Sequence, residues 1–365
     1  MGCGSCTGVG TTKSARSDDA MLKEFEIRNR PVGENHPSFV IAEIGSNHNQ
    51  DYDLARRMID AALGAGADAV KFQTFKAEKH VSSRALSPSY LKEKNIQALL
   101  RSLELNRDWQ EGLRRHAEDA GGIFFSSPCD FDAVDSLEEI SAPAHKVASF
   151  DLTDTDLIDY IAKTGKPVIL STGLANWMDI QRAVDTVRAR NNQKLVLLQC
   201  TSLYPAPNHL SNLKAMDTMR GAFDVLTGYS DHTLGDTVVC AAVARGACMI
   251  EKHFTLDRGL PGPDHNFAME PAEFREMMKR IRDIEGALGD GQKHGPRPEE
   301  AEMADKVRRS LHAARMIKAG EIITSEMLCI KRPGHGLPPF LREYVIGRKA
   351  TRDIEADEWI TWEML

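Results

Sequence analysis

The chain has 365 residues, 42% of them apolar and 27% charged, which is room for one large α/β barrel with an appendage or for two domains, and which excludes a small module or global disorder. Lys and Arg number 46 against 53 Asp and Glu, a formal net charge of −7, so a general nucleic-acid surface is disfavoured and any anionic ligand needs a local basic pocket. No apolar run approaches the roughly 20 residues of a membrane span, and the seven cysteines are odd in number, so reduced thiols in a cytoplasmic protein without membrane partners are expected.

Residues 1–35 read as a flexible tail. Cys3 and Cys6 form a CxxC there, but their flanks are Gly, Ser and Thr and no second cysteine pair lies nearby. From Ser38 onward one unit recurs: a short β-branched or aromatic run, a polar turn, then apolar residues at helical spacing. The runs are Phe39 to Gly45, Asp68 to Thr74, Gly122 to Ser127, His145 to Ser149, Pro167 to Thr172, Lys194 to Cys200, Asp224 to Ser230 and Cys248 to Phe254. Between the first two, Leu54, Met58, Ala61, Ala62 and Ala65 share a helical face, with Asp53 the expected N-cap. Eight buried runs alternating with helices predict a closed (β/α)8 TIM barrel over 36–289; an open doubly wound sheet is disfavoured because the first turn lacks a GxGxxG fingerprint. The long polar segment Phe75 to Asn106 reads as an insertion reaching over the site. GDGQKHGPRPEEAE opens a Gly- and Pro-rich linker over 290–309. Short alternating segments in 310–365 then predict a small β-rich module, marginal in size for an independent core.

A barrel of this class works at the C-terminal ends of its strands, and those ends are polar throughout. They carry Glu43, Lys71 and Gln73, Ser126 and Ser127, Lys146 and Ser149, Ser171 and Thr172, Gln199 with Thr201 and Ser202, Ser230 with His232, and Glu251 with His253. A scaffold has no physical need to converge amines, carboxylates and imidazoles at one mouth, since each must be paired or desolvated. The clustering predicts an enzyme. His232 and His253 follow adjacent runs and suit a divalent metal ion with open coordination positions. Lys71 and Lys146, with the hydroxyls between them, suit a phosphate and a carboxylate. The bland alternative is a lysine that only neutralises Glu43 or Glu251; the other chemical alternative is a Schiff base with a carbonyl substrate.

The motifs IAEIGSNHN (Ile41 to Asn49), VKFQTFKAE (Val70 to Glu78), STGLA (Ser171 to Ala175), CTSLYPAP (Cys200 to Pro207), GYSDHT (Gly228 to Thr233), IEKHFTLD (Ile250 to Asp257) and PGPDHNFAMEP (Pro261 to Pro271) resemble, in colinear order, the sialic acid synthase family. RRSLHAAR (Arg308 to Arg315) and IKRPGHG (Ile330 to Gly336) resemble its C-terminal antifreeze-like (SAF) domain. The resemblance implies condensation of phosphoenolpyruvate with an open-chain N-acylated hexosamine, a divalent metal, Mn2+ or Mg2+, and a domain-swapped homodimer. Carried over by position, it makes His232 and His253 the metal ligands and places Lys71, Ser127, Lys146, Ser149, Ser202 and Ser230 around phosphoenolpyruvate. Glu43 becomes the carboxylate beside the reacting centre. Gln73, Tyr204, Glu251 and Asp264 meet the sugar, and Arg332 reaches the partner subunit's barrel. Two departures stand out: Lys146-Val147-Ala148-Ser149-Phe150-Asp151 replaces a Gly-Ser-Gly-Glu type sequence after the lysine, and Ser202 stands where Asn is common. Both leave the acceptor open among N-acetylmannosamine, a diacetamido-trideoxyhexose and related sugars. A Schiff-base sugar-acid aldolase and a non-catalytic carbohydrate-binding protein are the alternative readings.

Overall fold

The computed structural model describes residues 23–87 and 95–365. The terminal CxxC and most of the expected tail lie outside the described residues. The chain divides into two compact units, the second being Asp290–Leu365.

The first unit is built on strands β1 (Glu24–Ile27), β2 (Arg30–Gly33), β3 (Phe39–Gly45), β4 (Ala69–Thr74), β5 (Ile123–Pro128), β6 (His145–Val147), β7 (Val168–Ser171), β8 (Leu195–Cys200), β9 (Leu226–Asp231) and β10 (Met249–His253). Strands β3 to β10 are parallel and close into a barrel in sequential order, β10 pairing with β3. This is the (β/α)8 TIM barrel the eight runs predict. Each strand is covered by helices outside and by its fellows inside, so the runs read as almost continuous apolar sequence rather than as alternation. The expected N-cap is corrected: Asp51, not Asp53, caps the helix Tyr52–Gly64, its side chain accepting from the Leu54 N–H, and Asp53 lies in the first turn.

Residues 24–33, assigned by sequence to the tail, instead form the antiparallel β1–β2 hairpin. Phe25, Ile27 and Val32 pack into one apolar cluster with Phe39, Ile41, Phe125, Ile169, Leu198 and Met249. The physical reason is that barrel side chains alternate inward and outward, and the inward positions at the strand starts are apolar; left open, they would face water. The same alternation decides the other end. Continuing inward by steps of two from Ile41, Ala69, Phe125, Ala144, Ile169, Leu198 and Met249 gives Glu43, Lys71, Ser127, Lys146, Ser171, Cys200 and Glu251. The outward set, including Val40, Val70, Phe124, Leu170 and Ile250, packs with the surrounding helices.

In the second unit, β11 (Ser310–Ala313) and β12 (Leu328–Lys331) pair antiparallel, and the other expected alternating segments join by single bridges, His312 with Trp359, Ile317 with Ile354 and Ile322 with Lys349. Leu311, Ile317, Ile323, Val345, Ile354 and Ile360 form its core. The segment 290–309, read as a linker, contains the helix Ala301–Val307, preceded by a Pro298–Glu300 turn and supported by a Lys306–Glu302 pair at 2.6 Å.

Candidate active site

The inward polar layer lies at the strand ends and lines a cavity of about 450 Å3. Glu43, Lys71, Gln73, Ser127, Lys146, Ser149, Tyr204, Ser230, His232, Glu251, His253 and Asp264 all line it. Two expected residues do not. Ser202 lies in an adjoining depression, and Arg332 belongs to the second unit, where it is exposed.

The amines and carboxylates form one buried network. Lys71 Nζ is 2.7 Å from Glu43 Oε2 and donates to Ser127 Oγ at 3.1 Å. Gln73 Nε2 donates to Glu43 Oε1 at 2.9 Å, and Ser230 Oγ donates to Glu251 Oε1 at 3.1 Å. Glu251 Oε2 faces both amines, 3.7 Å from Lys71 and 3.9 Å from Lys146, yet makes no hydrogen bond. Lys146 Nζ finds one acceptor, the Val147 carbonyl at 3.0 Å. Burial raises the Glu43 pKa, against the pull of Lys71. Burial also disfavours the Lys71 ammonium, but Glu251 and Glu43 outweigh it and hold that pKa above its ordinary value. Lys146 has less compensation, and burial pushes its pKa down. Lys146 is therefore an under-satisfied donor beside the paired Lys71 in a low-dielectric pocket, the electrostatic form of an anion site.

Beside them, Gly173 N donates to Ser149 Oγ at 3.1 Å. A Cβ at Gly173 would lie 2.3 Å from Ser202 Oγ and 2.8 Å from Ser149 Oγ, so only glycine lets both hydroxyls approach this backbone. Ser202 Oγ is buried without a hydrogen-bond partner.

The imidazoles meet on the other side. The His232 and His253 rings are 5.3 Å apart at 67°, and Tyr204 stands 4.3 Å from His232. A carbonyl can only accept, so His232 Nδ1–H donates to Thr201 O at 2.8 Å, leaving Nε2 with its lone pair. His253 Nδ1 is buried with no hydrogen-bond partner, 3.6 Å from Asp264 Oδ2. Burial, then His232 and Lys71, hold the His253 pKa well below normal, which keeps this imidazole neutral. At His232 burial is outweighed by Cys200, 3.8 Å away, and the pKa rises, so a proton competes with any metal for Nε2. Burial and Glu43 raise the Asp264 pKa to about 6. An oriented imidazole and an orphaned neutral one fit a divalent ion.

Ser171, named among the polar strand ends, lines the cavity, and so does Cys200, which the sequence reading missed although the two-residue alternation could have found it. Lys252 and Asp231 point the other way and form a buried pair at 2.6 Å; Asp231 also accepts from Thr233 N at 3.0 Å, fixing the turn that carries His232. Ser126, by contrast, faces outward and bonds Thr74 Oγ1 at 2.8 Å.

The family model described as the NeuB family matches residues 58–293, and that of the SAF domain matches 308–365. The chain belongs to the NeuB family. An N,N'-diacetyllegionaminic acid synthase of Campylobacter jejuni is 41% identical over 88% of this chain and 98% of its own length. The N-acetylneuraminate-9-phosphate synthase of Homo sapiens is 36% identical over 92% and 95%. A solved N-acetylneuraminic acid synthetase of Leptospira borgpetersenii superposes with a TM-score of 0.71 at 34% identity, covering 78% of this chain and 96% of that one. This NeuB-family protein is thus an enzyme of the sialic acid synthase type, with a SAF domain following the barrel in sequence. No described helix is long and apolar enough to cross a membrane.

Proposed function

We propose that this enzyme condenses phosphoenolpyruvate with the open-chain aldehyde of an N-acylated hexosamine, giving a nine-carbon 2-keto-3-deoxy sugar acid and phosphate. The observation that carries the reading is the division of one cavity into two unlike halves: two buried amines, one of them under-satisfied, with serine hydroxyls, and paired imidazoles beside tyrosine. In this reaction the enol C3 bonds to the aldehyde carbon, water adds at C2, and the C2–O bond breaks to release phosphate. Lys71 and Lys146 hold phosphate and carboxylate, with Ser127 and Ser149 as further donors, and so fix C3 against the aldehyde. His232 and His253 would hold a divalent ion, Mn2+ or Mg2+, which when bound supplies electrophilic polarisation of the aldehyde oxygen. Glu43, with its pKa raised, orients the attacking water and takes up its proton. Gln73, Tyr204, Glu251 and Asp264, which line the same cavity, would bond the sugar's hydroxyls and amide.

Phe150 lines the cavity although its side chain is half exposed. Its apolar surface favours a deoxygenated, doubly acylaminated acceptor of the diacetamido-trideoxyhexose class. An acceptor panel with phosphoenolpyruvate, scored by phosphate release and product mass, tests the reaction and the acceptor together; no phosphate release with any open-chain N-acylhexosamine overturns the reading. The Schiff-base alternative draws on the lowered pKa of Lys146. Borohydride trapping with substrate leaves a covalent lysine adduct in that case and none for the condensation.

A further inference from the structure

Strands β5 and β6 lie opposite β9 and β10 in the closed ring, and on that side the loops bring together three metal-ligand types to which the proposed function gives no role. His80 ends the helical turn Ala77–His80 after β4, Cys129 follows β5 directly, and Asp151 closes the turn Ser149–Asp151 after β6. One ligand atom from each, an imidazole nitrogen, a sulfur and a carboxylate oxygen, lies within 4.8 Å of the other two, and all three residues line the cavity. His80 Nδ1 is 3.9 Å from Asp151 Oδ1. Asp151 Oδ2 is buried and has no hydrogen-bond partner.

The three residues are also held in place. The His80 ring stacks on buried Phe75 at 5.6 Å and 28°. Cys129 N donates to Thr74 O at 3.1 Å, tying it to the end of β4, and Asp151 N donates to Ala148 O at 3.0 Å. Burial, and then Asp151, push the Cys129 thiol well above its ordinary pKa, and burial raises Asp151, so a divalent ion entering between them would displace the thiol proton. Ligand bonds of about 2.0 to 2.3 Å place the donors of a tetrahedral zinc site roughly 3.3 to 3.8 Å apart, so the cluster closes on an ion by small side-chain rotations. A mixed sulfur, nitrogen and oxygen set selects a borderline-soft ion over Mg2+ or Ca2+.

We propose that His80, Cys129 and Asp151 form a zinc-type divalent metal site, separate from the His232 and His253 pair, with its fourth position open to the cavity for water or a ligand oxygen. Loading this site would clamp the insertion that carries His80 to the turn that carries Ser149 and Phe150.

The test is Co2+ titration of the full chain carrying Cys3→Ser and Cys6→Ser, so that the terminal thiols contribute nothing. A thiolate-to-cobalt charge-transfer band is expected, saturating by two equivalents in the full chain and by one in His232→Ala with His253→Ala, displaced by Zn2+ but not by Mg2+. It should vanish in Cys129→Ser and persist in Cys200→Ser and in His232→Ala with His253→Ala. Affinity should fall at least tenfold in His80→Ala and in Asp151→Asn. Absence of the band, its survival in Cys129→Ser, or its loss with Cys200→Ser or with the paired histidine substitutions overturns the assignment. Circular dichroism checks the fold of each variant. Should Cys129→Ser not fold, His80→Ala decides alone, because a partly exposed surface-turn side chain is removed without emptying the core; undiminished affinity there is equally fatal.

Discussion

Lys146 is buried to 2% exposure, has one backbone acceptor, and stands 3.9 Å from the nearest carboxylate oxygen. A dianionic donor completes what this residue lacks, so Lys146→Met should raise the KM for phosphoenolpyruvate far more than that for the sugar, with about 2 to 5 kcal/mol lost from donor binding; equal losses for both substrates would contradict the placement. The imidazole pair gives a second expectation. His232→Ala and His253→Ala should each abolish turnover and lower bound Mn2+, measured by elemental analysis, while circular dichroism stays native. A chelator should reproduce the loss in the unmodified enzyme, with recovery on adding Mn2+.

Elements position these residues, and two element-level features make predictions of their own. His48 lies on the turn between β3 and its helix, fully buried, 6.0 Å from the Phe72 ring, accepting from Gln50 N at Nδ1. Burial lowers its pKa from 6.5 to about 4. As pH falls below 6.5 the unfolded chain takes up this proton first, so His48 lowers stability progressively until the folded form also protonates near pH 4. Unfolding by denaturant at about pH 7 and about pH 4 should show the native sequence losing about 3 kcal/mol more than His48→Gln across that window. Equal losses would place the acid sensitivity elsewhere. On β9, Gly228 occupies an inward position where an added Cβ would meet Met249 O at 2.2 Å and Leu198 Cδ2 at 2.7 Å. Gly228→Ala should therefore destabilise the barrel by about 1 to 3 kcal/mol, through overpacking of a layer that backbone already fills. An unchanged denaturation midpoint would show that the ring dilates freely.

For the whole molecule, the SAF domain carries Arg332 on an exposed loop and the barrel carries the cavity. A condensation that admits one attacking water at C2 needs bulk water held back from the cavity mouth, and a basic loop from a second subunit would both cover it and bond a sugar hydroxyl or amide carbonyl. The expected assembly is a domain-swapped homodimer. Mixing Glu43→Gln subunits with Arg332→Ala subunits under exchange conditions should restore activity, because some mixed dimers then hold one site with both residues intact. Verified heterodimers without activity would assign Arg332 to its own barrel or to no site.

Much of this was legible in linear form because a (β/α)8 barrel repeats a local rule: each strand is a short buried run, each inward side chain lies two residues from the last, and the mouth is always the C-terminal end. Glu43, Lys71, Lys146 and Glu251 followed from that rule, and their ordered motifs carried the family. The hairpin Glu24–Gly33 did not, since what makes it pack is the apolar floor of a barrel formed by residues far along the chain. Asp51 displaced Asp53 as cap because helix onset depends on backbone dihedrals that two nearby aspartates satisfy equally well on paper. The grouping of His80, Cys129 and Asp151 was invisible for a related reason: each sits on a different loop, where no period links sequence spacing to direction, and only the folded course of the loops after the neighbouring strands β4, β5 and β6 brings the three together.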